Sequence, residues 1–316
     1  MQTHQPIFLA GPTAVGKSAV ALALAEKLAG EIISVDSMQV YRGLDIGTAK
    51  PSAAERARVP HHLIDVAELT EAFDAARFVT RARQAVTEIQ SRGRVPIFCG
   101  GTGLYFKAFR DGLGEAPPSD EKLRAELEAA PLAELLREVE QRDPATFARI
   151  DRQNPRRVVR ALEVIRLTGR PFSTQRARWG ELADEPNPQP DGSRGRSPHQ
   201  VICFTRPAPD FQARMNLRVD EMFAAGLVAE TRHLLERGLE QNKTAMQAIG
   251  YRQVVEHLRS ERSLSDTIEL VKMKTRQFAK RQITWFRKHA NAHWIELKPQ
   301  DSAETIAALV QAQCSD

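Results

Sequence analysis

Short apolar runs alternate with longer amphipathic stretches along the first hundred residues. The short runs are typical of strands, and the longer stretches repeat their apolar residues at the spacing of a helix. Strands that alternate with helices predict a parallel sheet with helices on its faces. The predicted strands are Ile7–Ala10, Glu31–Asp36, His61–Val66 and Val95–Cys99, and the predicted helices are Lys17–Leu28 and Asp74–Gln90.

The pattern changes in the middle of the chain. Residues 120–180 are polar and helical, and one helix there has Asn154 to cap its start and Gly169 to end it. Residues 183–200 are dense in proline, glycine and serine, which predicts a flexible loop or linker. We therefore predict that residues 117–198 form a helical insertion.

After the insertion, the apolar run Val201–Thr205 predicts a return to the sheet. Residues 208–290 are mostly helical in pattern, and His293–Leu297 predicts a last strand. The core is therefore predicted to comprise residues 1–116 together with 199–316. The fold class is α/β, with a helical insertion and a helical C-terminal part.

Composition indicates a globular protein, with 42% apolar and 27% charged residues. No run of about 18 apolar residues occurs, so we expect no membrane span. The first residues lack a basic segment followed by an apolar stretch, so we expect no signal peptide. Cys99, Cys203 and Cys314 form neither a disulfide framework nor a zinc pattern, which favours a cytoplasmic location.

The first strand leads into the stretch GPTAVGKS, which has the spacing of a phosphate-binding loop (P-loop). A helix start favours an anion, a lysine neutralises phosphate oxygens, and the following serine helps to hold Mg²⁺. Such loops usually hold a nucleotide triphosphate. The strand before the loop and the helix after it favour this function over a chance similarity, and predict a P-loop-type sheet. The loop comprises Gly11, Pro12, Thr13, Ala14, Val15, Gly16, Lys17 and Ser18.

Two further strand ends carry candidate residues, because sites in parallel sheets lie at the carboxyl ends of the strands. Asp36 ends the second strand and could act as a general base toward an acceptor, or could cap a turn. The stretch GGTGLY at 100–105 could allow close approach to a ligand, with Thr102 supplying a hydroxyl, or could form an ordinary tight turn.

The basic residues are unevenly distributed. The chain has 45 Lys and Arg against 40 Asp and Glu, a formal charge of +5, yet no acidic residue lies between Glu269 and Glu296. A helical wheel of 272–289 separates an apolar side, which includes Phe278 and Trp285, from two basic rows. The basic side is either a nucleic-acid surface or a solvated face, and the aromatic residues are expected in the core.

Arginines on other predicted helices raise a similar choice. Arg214 and Arg218 are four residues apart on one face, a spacing that suits a phosphate or diphosphate but also a solvated, salt-bridged face. Arg156, Arg157 and Arg160 leave the same two possibilities open.

Six motifs follow one another along the chain: GPTAVGKS, DSMQVYRGLDIGTAKP, GGTGLYFKA, RRVVRALEV, AIGYRQ and FAKRQITWFR. Together, and in this order, they resemble the tRNA dimethylallyltransferase (tRNA isopentenyltransferase) family, bacterial type, over nearly the whole chain. They differ from the common family pattern at Val15, where serine is usual, and at Arg156, where glutamine is frequent.

The resemblance implies transfer of a dimethylallyl group from dimethylallyl diphosphate to the exocyclic amine of the adenine 3′-adjacent to the anticodon. Lys17, Asp36 and Thr102 are then the catalytic residues, and Ser18 helps to hold Mg²⁺. The diphosphate is bound by Gly11, Pro12, Thr13, Ala14, Val15, Gly16, Lys17, Ser18 and Arg218, the last assisted by Arg214.

The same resemblance implies that the insertion clasps the anticodon stem-loop of tRNA. It also implies that the target base leaves its stack to reach the core. The protein is expected to be a monomer. The implied tRNA contacts are Asp36, Ser37, Met38, Gln39, Thr102, Arg124, Arg156, Arg157, Val158, Val159, Arg160, Gln247, Ala248, Ile249, Gly250, Tyr251, Arg252, Lys280, Arg281, Gln282, Ile283, Thr284, Trp285, Phe286 and Arg287.

Two other functions are compatible with part of the sequence. A P-loop kinase that phosphorylates a small metabolite would use the loop and Asp36 in the same way, but leaves the basic tract 272–288 unused. A non-catalytic RNA-binding module would use that tract, but would not need a complete Lys17-Ser18 pair.

Overall fold

The computed structural model describes residues 4–112, 116–175 and 201–315. The chain divides into two units, after Arg110 and again after Gly195. In the sequence, the second unit, Asp111–Gly195, is inserted between the two segments of the first. The predicted loop at 183–200 lies outside the described residues. The assignment of 117–198 as a domain that clasps tRNA stays a prediction.

The first unit is built on a parallel sheet with the strand order β3-β2-β4-β1-β5-β6. The predicted parallel α/β fold is confirmed, and β3 is shorter than expected. Leu63 and Asp65 have positive φ values of 62° and 56°, which no strand residue adopts. The strands are β1 (Ile7–Ala10), β2 (Gly30–Val35), β3 (His61–His62), β4 (Val95–Gly100), β5 (Val201–Thr205) and β6 (Ala292–Glu296).

The register of the three central strands aligns their carboxyl ends. Gly100 of β4 pairs with Ala10 of β1 on one side and with Val35 of β2 on the other. Glycine is required here because a Cβ at position 100 would lie 2.1 Å from the Val35 carbonyl oxygen. The P-loop, Asp36 and Gly101 therefore begin at one level of the sheet edge.

Helices connect the strands of the first unit, and further helices build the second unit. In chain order they are α1 (Lys17–Leu28), α2 (Ala53–Arg58), α3 (Ala75–Ser91), α4 (Gly103–Asp111), α5 (Glu121–Ala129), α6 (Leu132–Arg142), α7 (Pro144–Arg149), α8 (Pro155–Thr168), α9 (Ala208–Ala224), α10 (Leu227–Glu236), α11 (Tyr251–Leu258), α12 (Leu264–His289) and α13 (Ala303–Ser315). Over the described ranges, none of them combines the length and apolarity needed to cross a membrane.

Caps set the ends of two helices, and those at Asn154 and Gly169 are the ones that the sequence predicts. The Asp74 carboxylate accepts the backbone N–H of Arg77 at the start of α3. Asn154 does the same for Arg157 in α8, and Gly169 ends that helix in the left-handed conformation, with φ 68°. These contacts satisfy backbone groups that a helix terminus leaves unpaired.

The long basic helix α12 packs on the first unit through one face. Val271, Ala279 and Phe286 are buried on it, as the helical wheel predicts. Phe278 departs from that prediction, because 37% of it is exposed. Its ring lies beside the cavity described below rather than in the core.

The second unit has a separate apolar core made by α5, α6 and α8, with Leu127, Val139 and Leu162 at its centre. Val158 and Val159 are buried in this core. These two side chains, which are among the predicted tRNA contacts, therefore serve packing. The role of residues 156–160 in RNA binding stays a prediction.

Glu163 organises the polar side of this unit, although its side chain is fully buried. Its carboxylate accepts hydrogen bonds from Ser119 Oγ at 2.6 Å and from the guanidinium groups of Arg124 and Arg160 at 2.7 and 2.6 Å. Burial favours a raised pKa for Glu163, but the hydrogen bonds of Ser119 and Arg160 and the charge of Arg124 outweigh it and lower the pKa.

We expect Glu163→Gln to destabilise the second unit by about 2 kcal/mol, because charged hydrogen bonds are lost around a buried group. The folded-state pKa of Glu163 is lowered, so its stabilisation is present above the unfolded value of about 4.3 and is lost as pH falls through the folded-state pKa. Thermal unfolding of the full chain checks this, with the exposed Glu134→Gln as control. The melting-point deficit should shrink on acidification; an equal deficit at neutral and acid pH contradicts the assignment.

Candidate active site

The P-loop joins β1 to α1 as the sequence predicts, and two arginines hold its backbone from outside. Gly11 and Gly16 have φ values of 153° and 106°, which allow the chain to turn around an anion. Arg206 Nε donates to the Val15 carbonyl at 2.7 Å, and Arg214 Nε donates to the Ala14 carbonyl at 3.2 Å. These bonds orient the loop carbonyls outward and fix its curvature.

Arg206 was missed by the sequence analysis. Its side chain is 8% exposed and also pairs with Asp210 at 2.8 Å. The signal was available, since Arg206 directly follows the strand Val201–Thr205 and thus lies at the carboxyl edge of the sheet.

Lys17 lies half-buried at the start of α1, with its Nζ donating to the Pro12 carbonyl at 3.2 Å. Burial lowers the pKa of Lys17, the nearby Arg218 lowers it further, and Cys99 and Asp36 oppose the shift. Burial also lowers the pKa of Arg218, against the attraction of Asp36 and Glu221. Two desolvated cations close together make this part of the site ready for an anion.

Cys99 lies on the neighbouring strand β4, close to Lys17. Burial raises the pKa of its thiol to about 11, although Lys17 and Ser18 act in the opposite direction. Cys99 is therefore a neutral wall residue at physiological pH rather than a nucleophile.

Asp36 forms a turn, which is one of the two functions that the sequence leaves open, and its role as a general base stays a prediction. Its Oδ1 accepts the backbone N–H groups of Met38 and Gln39, at 2.8 and 3.3 Å, and so forms the turn after β2. Within the described residues, these hydrogen bonds use one carboxylate oxygen only. The second oxygen has no hydrogen bond there, and the Asp36 side chain lines a cavity.

Thr102 lies beside this turn. Its Oγ1 accepts the backbone N–H of Ser37 at 3.1 Å, which leaves the hydroxyl proton to be donated elsewhere. Gly100, Gly101 and Thr102 line the same cavity as Asp36, and close approach of a ligand to them stays a prediction. A Cβ at Gly103 would lie 2.2 Å from the Trp285 ring, so this glycine permits close approach of α12.

A cavity of about 400 Å³ connects these groups within the first unit. This is the size of a small-molecule site. Its polar lining includes Lys17, Ser18, Asp36, Thr102 and Arg218. Apolar side chains of α9 and α12 complete the lining, and sequence reasoning did not single them out as site residues: Val219, Met222 and Val271.

This cavity places a cationic phosphate cradle and an acceptor carboxylate around one volume, beside apolar walls. Comparison with known proteins assigns the arrangement. A family model described as IPP transferase matches residues 39–289. tRNA dimethylallyltransferase 1 of Trichlorobacter lovleyi is 45% identical over 306 residues, which cover 96% of each chain. The chain belongs to the tRNA dimethylallyltransferase family.

Further relatives agree with this membership. The tRNA dimethylallyltransferase of Halorhodospira halophila is 46% identical over 290 residues, 90% of each chain. The full-length tRNA isopentenylpyrophosphate transferase of Bacillus halodurans has a crystal structure with a TM-score of 0.69 and 37% identity, covering 99% of this chain and 97% of that one. A eukaryotic dimethylallyltransferase acting on tRNA has a TM-score of 0.75 and 27% identity, over 98% and 80%.

Membership of a prenyltransferase family disfavours both the kinase and the non-catalytic RNA-binding module. A prenyl diphosphate presents the same charged groups as the end of a nucleotide, so a P-loop is compatible with either ligand. The role that each residue can have depends on where its side chain lies in the site.

The predicted tRNA contacts of the first unit differ in burial, and two of the buried ones, Ala248 and Gln282, also line the cavity. One group is exposed on the surface or lines the cavity: Asp36, Ser37, Met38, Gln39, Thr102, Gln247, Ile249, Arg252, Lys280, Arg281, Thr284 and Arg287. Ile283 and Trp285 are half-buried on α12. The other group is buried: Ala248, Gly250, Tyr251, Gln282 and Phe286.

The buried group holds the cavity walls together. Tyr251 Oη donates to Glu230 at 2.6 Å and accepts the backbone N–H of Gly47 at 3.1 Å. The ring lies so close that a Cβ at Gly47 would be 2.5 Å from it. Gln39 Nε2 donates to the Thr48 carbonyl at 3.1 Å. These contacts hold the loop 47–49 against the cavity.

The two arginines of α9 differ in role. Arg218 lines the cavity, as expected for a diphosphate contact, whereas Arg214 donates to the Ala14 carbonyl of the P-loop. The predicted help of Arg214 in reaching the diphosphate thus has an indirect route in this structure, through the shape of the loop.

Proposed function

We propose that this protein transfers a dimethylallyl group from dimethylallyl diphosphate to the exocyclic amine of the adenine 3′-adjacent to the anticodon in tRNA. The observation that carries this is the common cavity of Lys17, Arg218, Asp36 and Thr102. It offers cations for a diphosphate and a free carboxylate oxygen for an amine proton, with apolar side chains for a hydrocarbon tail.

The reaction follows from these positions. The allylic carbon–oxygen bond breaks, and its electron pair leaves with the diphosphate into the cradle of Lys17, Arg218 and the P-loop amides. The adenine nitrogen forms the new carbon–nitrogen bond. Its proton then passes to the free oxygen of Asp36, while the Thr102 hydroxyl positions the amine or the carboxylate.

Magnesium fits the oxygen donors of this site. The hydroxyl of Ser18 and the carboxylate of Asp36 line the cavity, and a bound diphosphate adds further oxygens of the kind that Mg²⁺ prefers. We assign Ser18 as the protein ligand, and the ion would neutralise charge on the departing diphosphate.

The exposed face of α12 is the proposed path of the RNA backbone. Lys280, Arg281, Arg287 and Lys288 are exposed on it, and no acidic residue lies between Glu269 and Glu296. Arg281 also lines the cavity, so these basic side chains suit phosphates that flank a flipped base. The second unit, with the exposed Arg156 and Arg157 on α8, is proposed to clasp the anticodon arm.

The direct test is incubation of the protein with unmodified tRNA and labelled dimethylallyl diphosphate, followed by nucleoside mass analysis. The expected product is a dimethylallyl adenosine from the position 3′ of the anticodon, with one diphosphate released for each. Addition of ATP should neither support the reaction nor compete at stoichiometric concentration. Phosphorylated product from ATP would support the kinase instead.

Lys280→Ala is expected to weaken tRNA binding and to lower the slope of log K against log salt by about 0.7–0.9, because one phosphate contact is lost. Affinity for the diphosphate should not change. Salt titrations of tRNA binding measure the slope, with Lys27→Ala on the exposed face of α1 as control. A slope equal to that of the parent would assign Lys280 to an ordinary solvated face.

A further inference from the structure

Gln282 is a buried amide on the helix that carries the proposed RNA face. It is 8% exposed, whereas its neighbour Arg281 is exposed. Family resemblance groups both residues in one tRNA-contacting stretch. Their environments differ, because the Gln282 side chain points into the first unit and not into solvent.

Both ends of the Gln282 amide are occupied by backbone groups of the site. Oε1 accepts the N–H of Thr13 in the P-loop at 2.9 Å, and Nε2 donates to the Gly101 carbonyl at 2.9 Å. The two partners belong to different strand ends, after β1 and after β4. A single side chain therefore spans the two strand ends that meet at the cavity.

The partner surface at Gly101 is shaped for this amide. A Cβ at position 101 would lie 2.2 Å from Gln282 Nε2, so any larger residue would displace the amide. Gly101 directly precedes Thr102, whose Oγ1 accepts the N–H of Ser37 beside Asp36. The chain of contacts thus runs from the P-loop through Gln282 to the acceptor side of the cavity.

We infer that Gln282 is a positioning residue that sets the separation between the diphosphate cradle and the acceptor residues Asp36 and Thr102, and that it is not a tRNA contact. The inference rests on the proposed function. Transfer at an allylic carbon, whether concerted or through an allylic cation, needs the attacking nitrogen held at the right distance from that carbon as the diphosphate leaves. A misplacement of about 1 Å can cost on the order of 10²-fold in rate.

Two variants separate positioning from RNA binding. Gln282→Met keeps the length of the side chain and removes both hydrogen bonds, and Gln282→Glu keeps the acceptor for Thr13 but removes the donor to Gly101. Gln84→Met is the control, since Gln84 is exposed on α3 and does not line the cavity. Single-turnover transfer at saturating substrates is measured with separate titrations of tRNA and of dimethylallyl diphosphate.

We expect Gln282→Met to lower the single-turnover rate roughly 10²-fold and Gln282→Glu to lower it at least tenfold. The dissociation constant for tRNA and its salt slope should stay within about twofold of the parent, and Gln84→Met should behave as the parent in every measurement. Melting temperatures identify any unfolded variant, and Gln282→Glu keeps the test open if Gln282→Met does not fold.

Two results would overturn the inference while leaving the proposed function intact. The first is a parent that transfers and folded Gln282 variants that transfer within about threefold of it. The second is a large loss of tRNA affinity with an unchanged rate at saturation, which would make Gln282 an RNA contact. A parent that transfers nothing would instead contradict the proposed function, and the inference with it.

Discussion

Asp36→Asn is expected to leave both substrates bound and to lower the rate of transfer on the order of 10²–10⁴-fold, the usual cost of losing a general base. An adenine amine is a poor nucleophile, because its lone pair is delocalised into the ring. A carboxylate that accepts the N–H localises charge on the nitrogen as the bond to carbon forms, and then removes the proton that has become acidic. Asparagine cannot take this proton.

The structure makes this substitution a clean one. Asparagine retains an oxygen that can accept the N–H groups of Met38 and Gln39, so the turn after β2 should survive. The change is then confined to the group that faces the cavity. Asp74→Asn is the matched control, because Asp74 also accepts a backbone N–H, at the start of α3, but does not line the cavity.

The measurement is single-turnover transfer at saturating tRNA and dimethylallyl diphosphate, together with a binding titration of each. Transfer within a few-fold of the parent would remove Asp36 from the chemistry. Loss of tRNA binding without a change in rate at saturation would make Asp36 a base-docking residue. The two outcomes are distinct because the titrations are independent of the rate.

Lys17→Ala is expected to raise the Michaelis constant for the allylic diphosphate and to lower the turnover number by about 10²–10³-fold. Negative charge builds on the diphosphate as the allylic bond breaks, so Lys17 should stabilise the transition state more than the bound substrate. Burial and the nearby Arg218 lower the pKa of Lys17, so both reduce the stabilisation of its charged form. An anion would restore that stabilisation.

Steady-state kinetics at fixed, saturating tRNA separate the two constants. Lys17→Arg keeps the charge but replaces a compact ammonium by a planar group, so it should recover only part of the turnover. Lys27→Ala serves again as the control for loss of one positive charge. If the Michaelis constant alone changed, Lys17 would bind substrate and transition state equally, and its role toward the leaving group would be wrong.

Arg206 and Phe278 illustrate why sequence patterns give an incomplete site. Arg206 holds the P-loop carbonyl of Val15 from a position 191 residues away, and no local spacing relates the two. Phe278 falls on the apolar side of a helical wheel, yet it faces a cavity because α12 packs at the carboxyl ends of the strands. Periodicity reports which side of a helix is apolar, not what that side meets.

The amino-acid sequence by itself determined the elements whose causes are local. The P-loop, the helix after it, the capped helix α8 and the end of β2 at Asp36 depend on turn residues, caps and periodicity within a few positions. The six motifs also carried the family, since each is a contiguous stretch. Local interactions of this kind are encoded by neighbours along the chain, and are therefore visible without a structure.

Only the tertiary structure decided how these parts become one site. The placement of β4 between β1 and β2 aligns Gly100 with both Ala10 and Val35, and this puts the P-loop and Asp36 at one edge. The contact of Thr13 with Gln282 spans 269 positions. This contact depends on how α12 packs. Gln282 is buried and Arg281 beside it is exposed, and the sequence does not show this difference because solvation is a property of the folded chain.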